Sequence, residues 1–90
     1  MELFNESVGQ GPALALINVF PNPMKDEMVI EVIGSMNTMT YAILNAVGES
    51  LTMGTFVRQA VVNTESFPSG LYTVKVSLGQ KVVTRKIVKQ

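Results

Sequence analysis

From Leu14 onward the apolar side chains of this chain recur mostly with a period of two, and turn-forming residues interrupt them every eight to twelve positions. A strand sends successive side chains to opposite faces, so this pattern specifies short strands and leaves no segment with a convincing helical period. The best-specified part is "SFPSGLYTVKVSLGQK", residues 66–81, followed by "VVTRKIVKQ". Pro68-Ser69-Gly70 is a strong turn signal, because proline presets its own φ and glycine accepts a positive one. Tyr72, Val74, Val76 and Leu78 then form one apolar face, with Thr73, Lys75 and Ser77 on the other. Gly79-Gln80 fits a two-residue hairpin turn with glycine first. That register sets Leu78 against Lys81, Val76 against Val83, Val74 against Arg85 and Tyr72 against Ile87. Arg85 thereby falls among inward residues. We expect its stem to pack and its head to reach the rim; a bulge that shifts the register is the alternative.

The rest of the chain follows the same grammar. "ALALINVF" is an apolar strand that must leave its sheet at Pro21-Asn22-Pro23, since proline donates no ladder hydrogen bond and restricts its predecessor. "EMVIEVI" carries apolar groups on both faces and is expected to be a central strand. "TMTYAILN" places Met39, Tyr41 and Ile43 on one side and ends in the turn "NAVG". "ESLTMGTF" and "RQAVVN" are weaker strands, and Gly54 within the first suggests a bulge or a bend. Met28, Met39 and Met53 are expected to fill the core. The polar, glycine-bearing residues 5–13 read as a linker, so residues 1–13 are assigned to a linker or remnant of a preceding segment, and residues 14–90 to one domain. About seven short strands in a chain of 90 residues are best buried as two packed antiparallel sheets, an all-β sandwich of Ig-like type.

Composition narrows the chemistry. The chain has no histidine and no cysteine, which removes the common nucleophile–base pairs, most zinc sites and any disulfide. Asp26 and Glu27 are the only adjacent acids, and neighbours on a strand face opposite ways. Ser69 with Lys75 is a dyad on paper only, a turn serine bonded to its own backbone being the ordinary case. Catalysis, a cofactor and a resident metal are therefore not expected. The net charge of zero hides an asymmetry. Residues 1–74 hold two cations and seven acids, a net −5, whereas residues 75–90 hold Lys75, Lys81, Arg85, Lys86 and Lys89 with no acid, a net +5. With almost no aromatic interleaving, five cations over two strands are expected to be solvated strand faces rather than a nucleic-acid site. No run approaches the roughly 18 apolar residues of a membrane span, and "MELFNESVGQ" lacks the pattern of a signal peptide. An exposed terminal edge strand also makes strand-mediated recognition or homodimerisation physically cheap.

Three stretches taken in order, "INVFPNPMKDEMVIEV", "YAILNAVGESL" and "FPSGLYTVKVSLGQKVVTRKIVKQ", resemble the C-terminal sorting domain of the type IX secretion system, the Por secretion tail. The residues that carry the resemblance are Pro21, Asn22 and Pro23, then Gly48, then Pro68, Ser69, Gly70, Tyr72 and Lys86. Asn45 stands where that family commonly has aspartate, and Glu49 where arginine is frequent. The resemblance implies an address on an exported cargo of a Gram-negative bacterium, read by the outer-membrane secretion machinery. It further implies removal by a surface sortase that links the cargo to anionic lipopolysaccharide, and a route through the periplasm to the outer membrane, cell surface or medium. Processing is then expected in the linker, at Glu6, Ser7, Val8, Gly9, Gln10, Gly11, Pro12 or Ala13, because a protease needs a segment it can extend. The recognition strand is expected at Arg85, Lys86, Ile87, Val88, Lys89 and Gln90. The competing reading is an Ig-like adhesion or carbohydrate-binding module.

Overall fold

The computed structural model describes residues 2–5 and 14–90, with side chains described from residue 16 onward. Among them are eight strands and no helix: β1 (Glu2–Asn5), β2 (Leu14–Phe20), β3 (Glu27–Ile33), β4 (Thr38–Leu44), β5 (Ser50–Val57), β6 (Gln59–Asn63), β7 (Gly70–Leu78) and β8 (Lys81–Lys89). They form two four-stranded antiparallel sheets, ordered β1-β2-β3-β6 and β5-β4-β7-β8. The seven expected strands are β2 to β8. The eighth lies within residues 1–13, where a linker was expected: Glu2–Asn5 instead adds an edge strand to β2. Residues 6–13, the expected processing region, lie outside the described residues.

The core lies between the sheets. Ile17, Met28, Ile30, Val32 and Val62 come from one sheet, and Met39, Ile43, Phe56, Tyr72, Val74, Val76, Val83 and Ile87 from the other. Each such side chain contributes about 1.5–3 kcal/mol on burial, which is what overrides the weak propensity of the shorter strands. β3 is central, between β2 and β6. Its inward residues Met28, Ile30 and Val32 are buried, while Val29 and Glu31 are half-buried and Ile33 is exposed.

The β7–β8 register is the one expected from the sequence, without a bulge. Gly79 has φ 60° and Gln80 a negative φ, the combination of a turn with glycine in its first central position. Arg85 keeps its place in the ladder, and its guanidinium donates to the Ile17 carbonyl across the sandwich at 3.3 Å. Two expectations fail. Gly54 is not bulged; it pairs with Tyr41, and the register shifts between Ile43 and Leu44, whose partners Thr52 and Ser50 leave Leu51 as the extra residue of β5. A Cβ on Gly54 would sit 3.0 Å from Tyr41 Cε1, so glycine is needed there for the close approach of a ring. Met53 is not core: its neighbours Thr52 and Gly54 share the inward parity with Phe56, which leaves Met53 on the outer face, 66% exposed. The buried methionine absent from the expected core is Met24, fully enclosed.

Candidate functional site

In an antiparallel sandwich successive turns alternate between its two ends. The β2–β3, β4–β5 and β6–β7 turns therefore share one end with the finish of β8, while the β3–β4 and β7–β8 turns and the start of β2 occupy the other. Pro21, Asn22, Pro23, Gly48, Pro68, Ser69, Gly70 and Tyr72, singled out from the sequence far apart, all belong to the first end. Leu14, where the chain leaves the expected processing region, belongs to the second.

Hydrogen bonds stitch the first end together. After Pro23 the backbone of Met24 runs parallel to the end of β8: its N–H donates to Val88 O at 2.7 Å, and its carbonyl accepts from Gln90 N at 3.1 Å. Asn22 Oδ1 accepts from Val88 N at 3.1 Å. The proline–asparagine–proline turn thus covers the outer edge of β8 over Val88–Gln90, and the Met24 side chain plugs the gap between the sheets. Proline at both flanks suits a segment that must leave one sheet and meet the other without donating to either at those positions.

Lys89 ties in the β6–β7 turn. Its side chain is buried, and its ammonium donates to the carbonyls of Thr64, Phe67 and Glu65 at 3.0, 3.2 and 3.4 Å. Three donors on Nζ meet three carbonyls of the turn, of which Thr64 O also accepts from Phe67 N at 3.0 Å. Thr64 is fully buried and extends the stitch: its hydroxyl donates to Lys25 O at 2.7 Å and its N–H to Asp26 O at 2.8 Å. The Tyr72 hydroxyl donates to the Pro68 carbonyl four residues upstream, and its ring packs on Phe67 with centroids 5.3 Å apart. A tyrosine tied back to the preceding turn in this way pins the corner at which a strand enters its sheet.

The β4–β5 turn is organised by Asn45. Its Oδ1 accepts from Val47 N at 3.1 Å and Glu49 N at 2.9 Å, its Nδ2 donates to Glu49 Oε1 at 2.8 Å, and its backbone carbonyl accepts from Gly48 N at 3.0 Å. Gly48 holds φ 90°, a value a side chain would oppose. Beside this turn a shallow groove of about 310 Å³ runs between Asn45–Val47, Leu51 and Pro68–Tyr72. Its walls are apolar: Val47 is 79% exposed, and Leu51 and Leu71 are exposed too.

The basic closing strand divides into two sets. Lys75, Lys81 and Lys86 are exposed, as a solvated face requires, whereas Ile87 and Lys89 are buried and Arg85 is half-buried. Sequence reasoning placed Lys89 on the recognition strand without its buried tie to the turn, and it missed Thr64. The hairpin register contained the signal for the first, because the parity that turns Arg85 and Ile87 inward also turns Lys89 inward. Nothing in the local sequence marks Thr64, whose role depends on residues 38 and 39 positions away. Strand addition over Val88–Gln90 is also disfavoured, since Asn22 and Met24 already take those edge groups.

Among curated proteins, no relative matches the chain. The family model described as the secretion system C-terminal sorting domain matches residues 18–90, from the middle of β2 through every turn of the stitched end. With its all-β sandwich and that span, the chain belongs to the Por secretion tail family, the C-terminal sorting domains of the type IX secretion system.

Proposed function

We propose that the domain is a non-catalytic address, read by the type IX machinery at the stitched end of the sandwich. The observation that carries this reading is the exposed apolar groove between the β4–β5 turn, which holds Gly48, and the Pro68–Gly70 turn, at the end of the sandwich to which Pro21–Pro23 also belong. Val47, Leu51 and Leu71 supply desolvatable contact, and Lys86, opposite Thr73 on the outer face, supplies a charge nearby. Recognition by side chains replaces recognition by strand addition over the last residues, whose outward backbone groups are occupied.

Removal of the address by a surface sortase, with attachment of the cargo to anionic lipopolysaccharide, completes the proposal. The cut falls within residues 6–13, between the finish of β1 and the start of β2, both at the end away from the groove, so that β1 stays with the cargo. A protease and a receptor can then act on one molecule without competing for the same turn. The cargo ends at the cell surface or in the medium after crossing the periplasm.

Truncating the last residues would confound recognition with folding, because Ile87 and Lys89 are structural. The test is a reporter fused ahead of residues 1–90 in a type IX-competent cell, with Val47→Glu and Leu71→Glu introduced together. Both side chains are exposed, so the thermal midpoint of the purified domain should hold within a few degrees. Export should fall at least tenfold. Export at the unaltered level by a folded variant would overturn the reading.

A further inference from the structure

The two flanks of the sandwich are unlike. On one flank β8 is the edge of its sheet. Four of its nine residues are cationic, and Asn22 and Met24 occupy the outer groups of Val88 and Gln90. Charge and cover are the usual means by which an edge is kept from pairing. On the other flank β5 is the edge, and among the described residues no strand pairs with it on the side away from β4. Its eight residues, "SLTMGTFV", include no charge and no proline. Leu51, Met53 and Val57 project from its outer face, 43%, 66% and 45% exposed. From Thr52 to Val57 this edge runs in unbroken register, its one irregularity lying at Leu51, and an edge with neither charge nor cover is a template for another strand.

We propose that β5 docks on β5 of a second copy of this chain, joining two four-stranded sheets into one antiparallel eight-stranded sheet about a two-fold axis. In a continuous sheet, residues directly opposite must project from the same face, so residues of equal parity oppose one another. A centre at Gly54 sets Leu51 against Val57 of the second copy and Met53 against Thr55, each pair occurring twice. A centre at Met53 would instead oppose Glu49 to Val57 and Leu51 to Thr55, a poorer match of side chains. The charges select a second copy over an unrelated strand. Exposed Glu49 immediately precedes β5 and exposed Arg58 immediately follows it. Antiparallel pairing therefore brings each copy's Glu49 to within one residue of the other's Arg58, with opposite charges meeting at both ends of an apolar strip. The isologous contact closes on itself. It covers Leu51, one wall of the groove, but neither Val47 nor Leu71 lies on β5, so Met53→Lys tests the pairing and Val47→Glu with Leu71→Glu tests the reading of the groove.

Sedimentation equilibrium of the 90-residue chain over a concentration series is expected to show a reversible dimer. Met53→Lys should weaken it at least tenfold while leaving the thermal midpoint unchanged, and Glu49→Arg should weaken it less, with Arg58→Glu added to restore it. The register has its own test, because the chain contains no cysteine. Leu51→Cys with Val57→Cys places two thiols roughly 20 Å apart along one strand, so any disulfide between them must join two copies. Mild oxidation should give a covalent dimer of this variant and not of Leu51→Cys with Thr55→Cys. A chain that stays monomeric at every concentration, a dimer indifferent to Met53→Lys, or cross-linking confined to the Thr55 variant would overturn the proposal.

Discussion

Asn45 shows how a turn keeps its geometry while its chemistry changes. By the resemblance noted in the sequence, aspartate is expected there and arginine at the position of Glu49, opposite charges across the turn. Here the amide donates to the carboxylate at 2.8 Å, and its oxygen accepts from Val47 N and Glu49 N. Both departures from the family pattern are thus halves of one exchange. Asn45→Asp would keep the two acceptor contacts but set a second carboxylate against Glu49. We expect a loss of about 0.5–1 kcal/mol, larger at low ionic strength. Adding Glu49→Arg should recover it, and urea midpoints at two salt concentrations are the measurement. The sequence named this turn and its Gly48 correctly, because turn residues act through their own backbone. It could not name the bond between side chains, which depends on how the turn closes.

At the level of strands, legibility followed the strength of the alternation. β7 and β8 alternate cleanly about a two-residue turn that allows one register, and that register is observed. β5 was misjudged at Gly54 and Met53 because its inward positions hold Thr52, Gly54 and Phe56, only one of them large. The missing volume opposite Gly54 comes from Tyr41, whose ring leans over the glycine and meets Phe56 edge-on at 6.0 Å. A residue supplied by the neighbouring strand cannot be seen in a one-strand pattern. Gly54→Ala gains strand propensity but drives a methyl group into that ring, so a net loss of about 1 kcal/mol is expected. In a Tyr41→Leu background the same change should become neutral or stabilising. Thermal unfolding of the four proteins in the cycle gives the coupling directly.

For the whole molecule, the sandwich and its strands β2 to β8 were legible, since a period of two over such a length leaves few other ways to bury both faces. The closure of the stitched end was not, because it joins Met24, Thr64 and Lys89 over long stretches of chain. Lys89 carries most of that closure. Lys89→Met keeps the apolar stem but leaves the carbonyls of Thr64, Glu65 and Phe67 without their ammonium, and we expect a loss of about 2–3 kcal/mol. Hydrogen exchange should rise at Met24, Thr64 and Phe67 together rather than at β8 alone; faster exchange confined to β8 would show that the stitch is local. The place of Lys89 along the chain also sets a timetable. Chains emerge from the ribosome amino end first, and domains fold as their residues arrive. A sandwich whose turns are held by residues 88–90 stays open until those residues have been made. Closure of the stitched end therefore reports that every strand from β2 to β8 has been made.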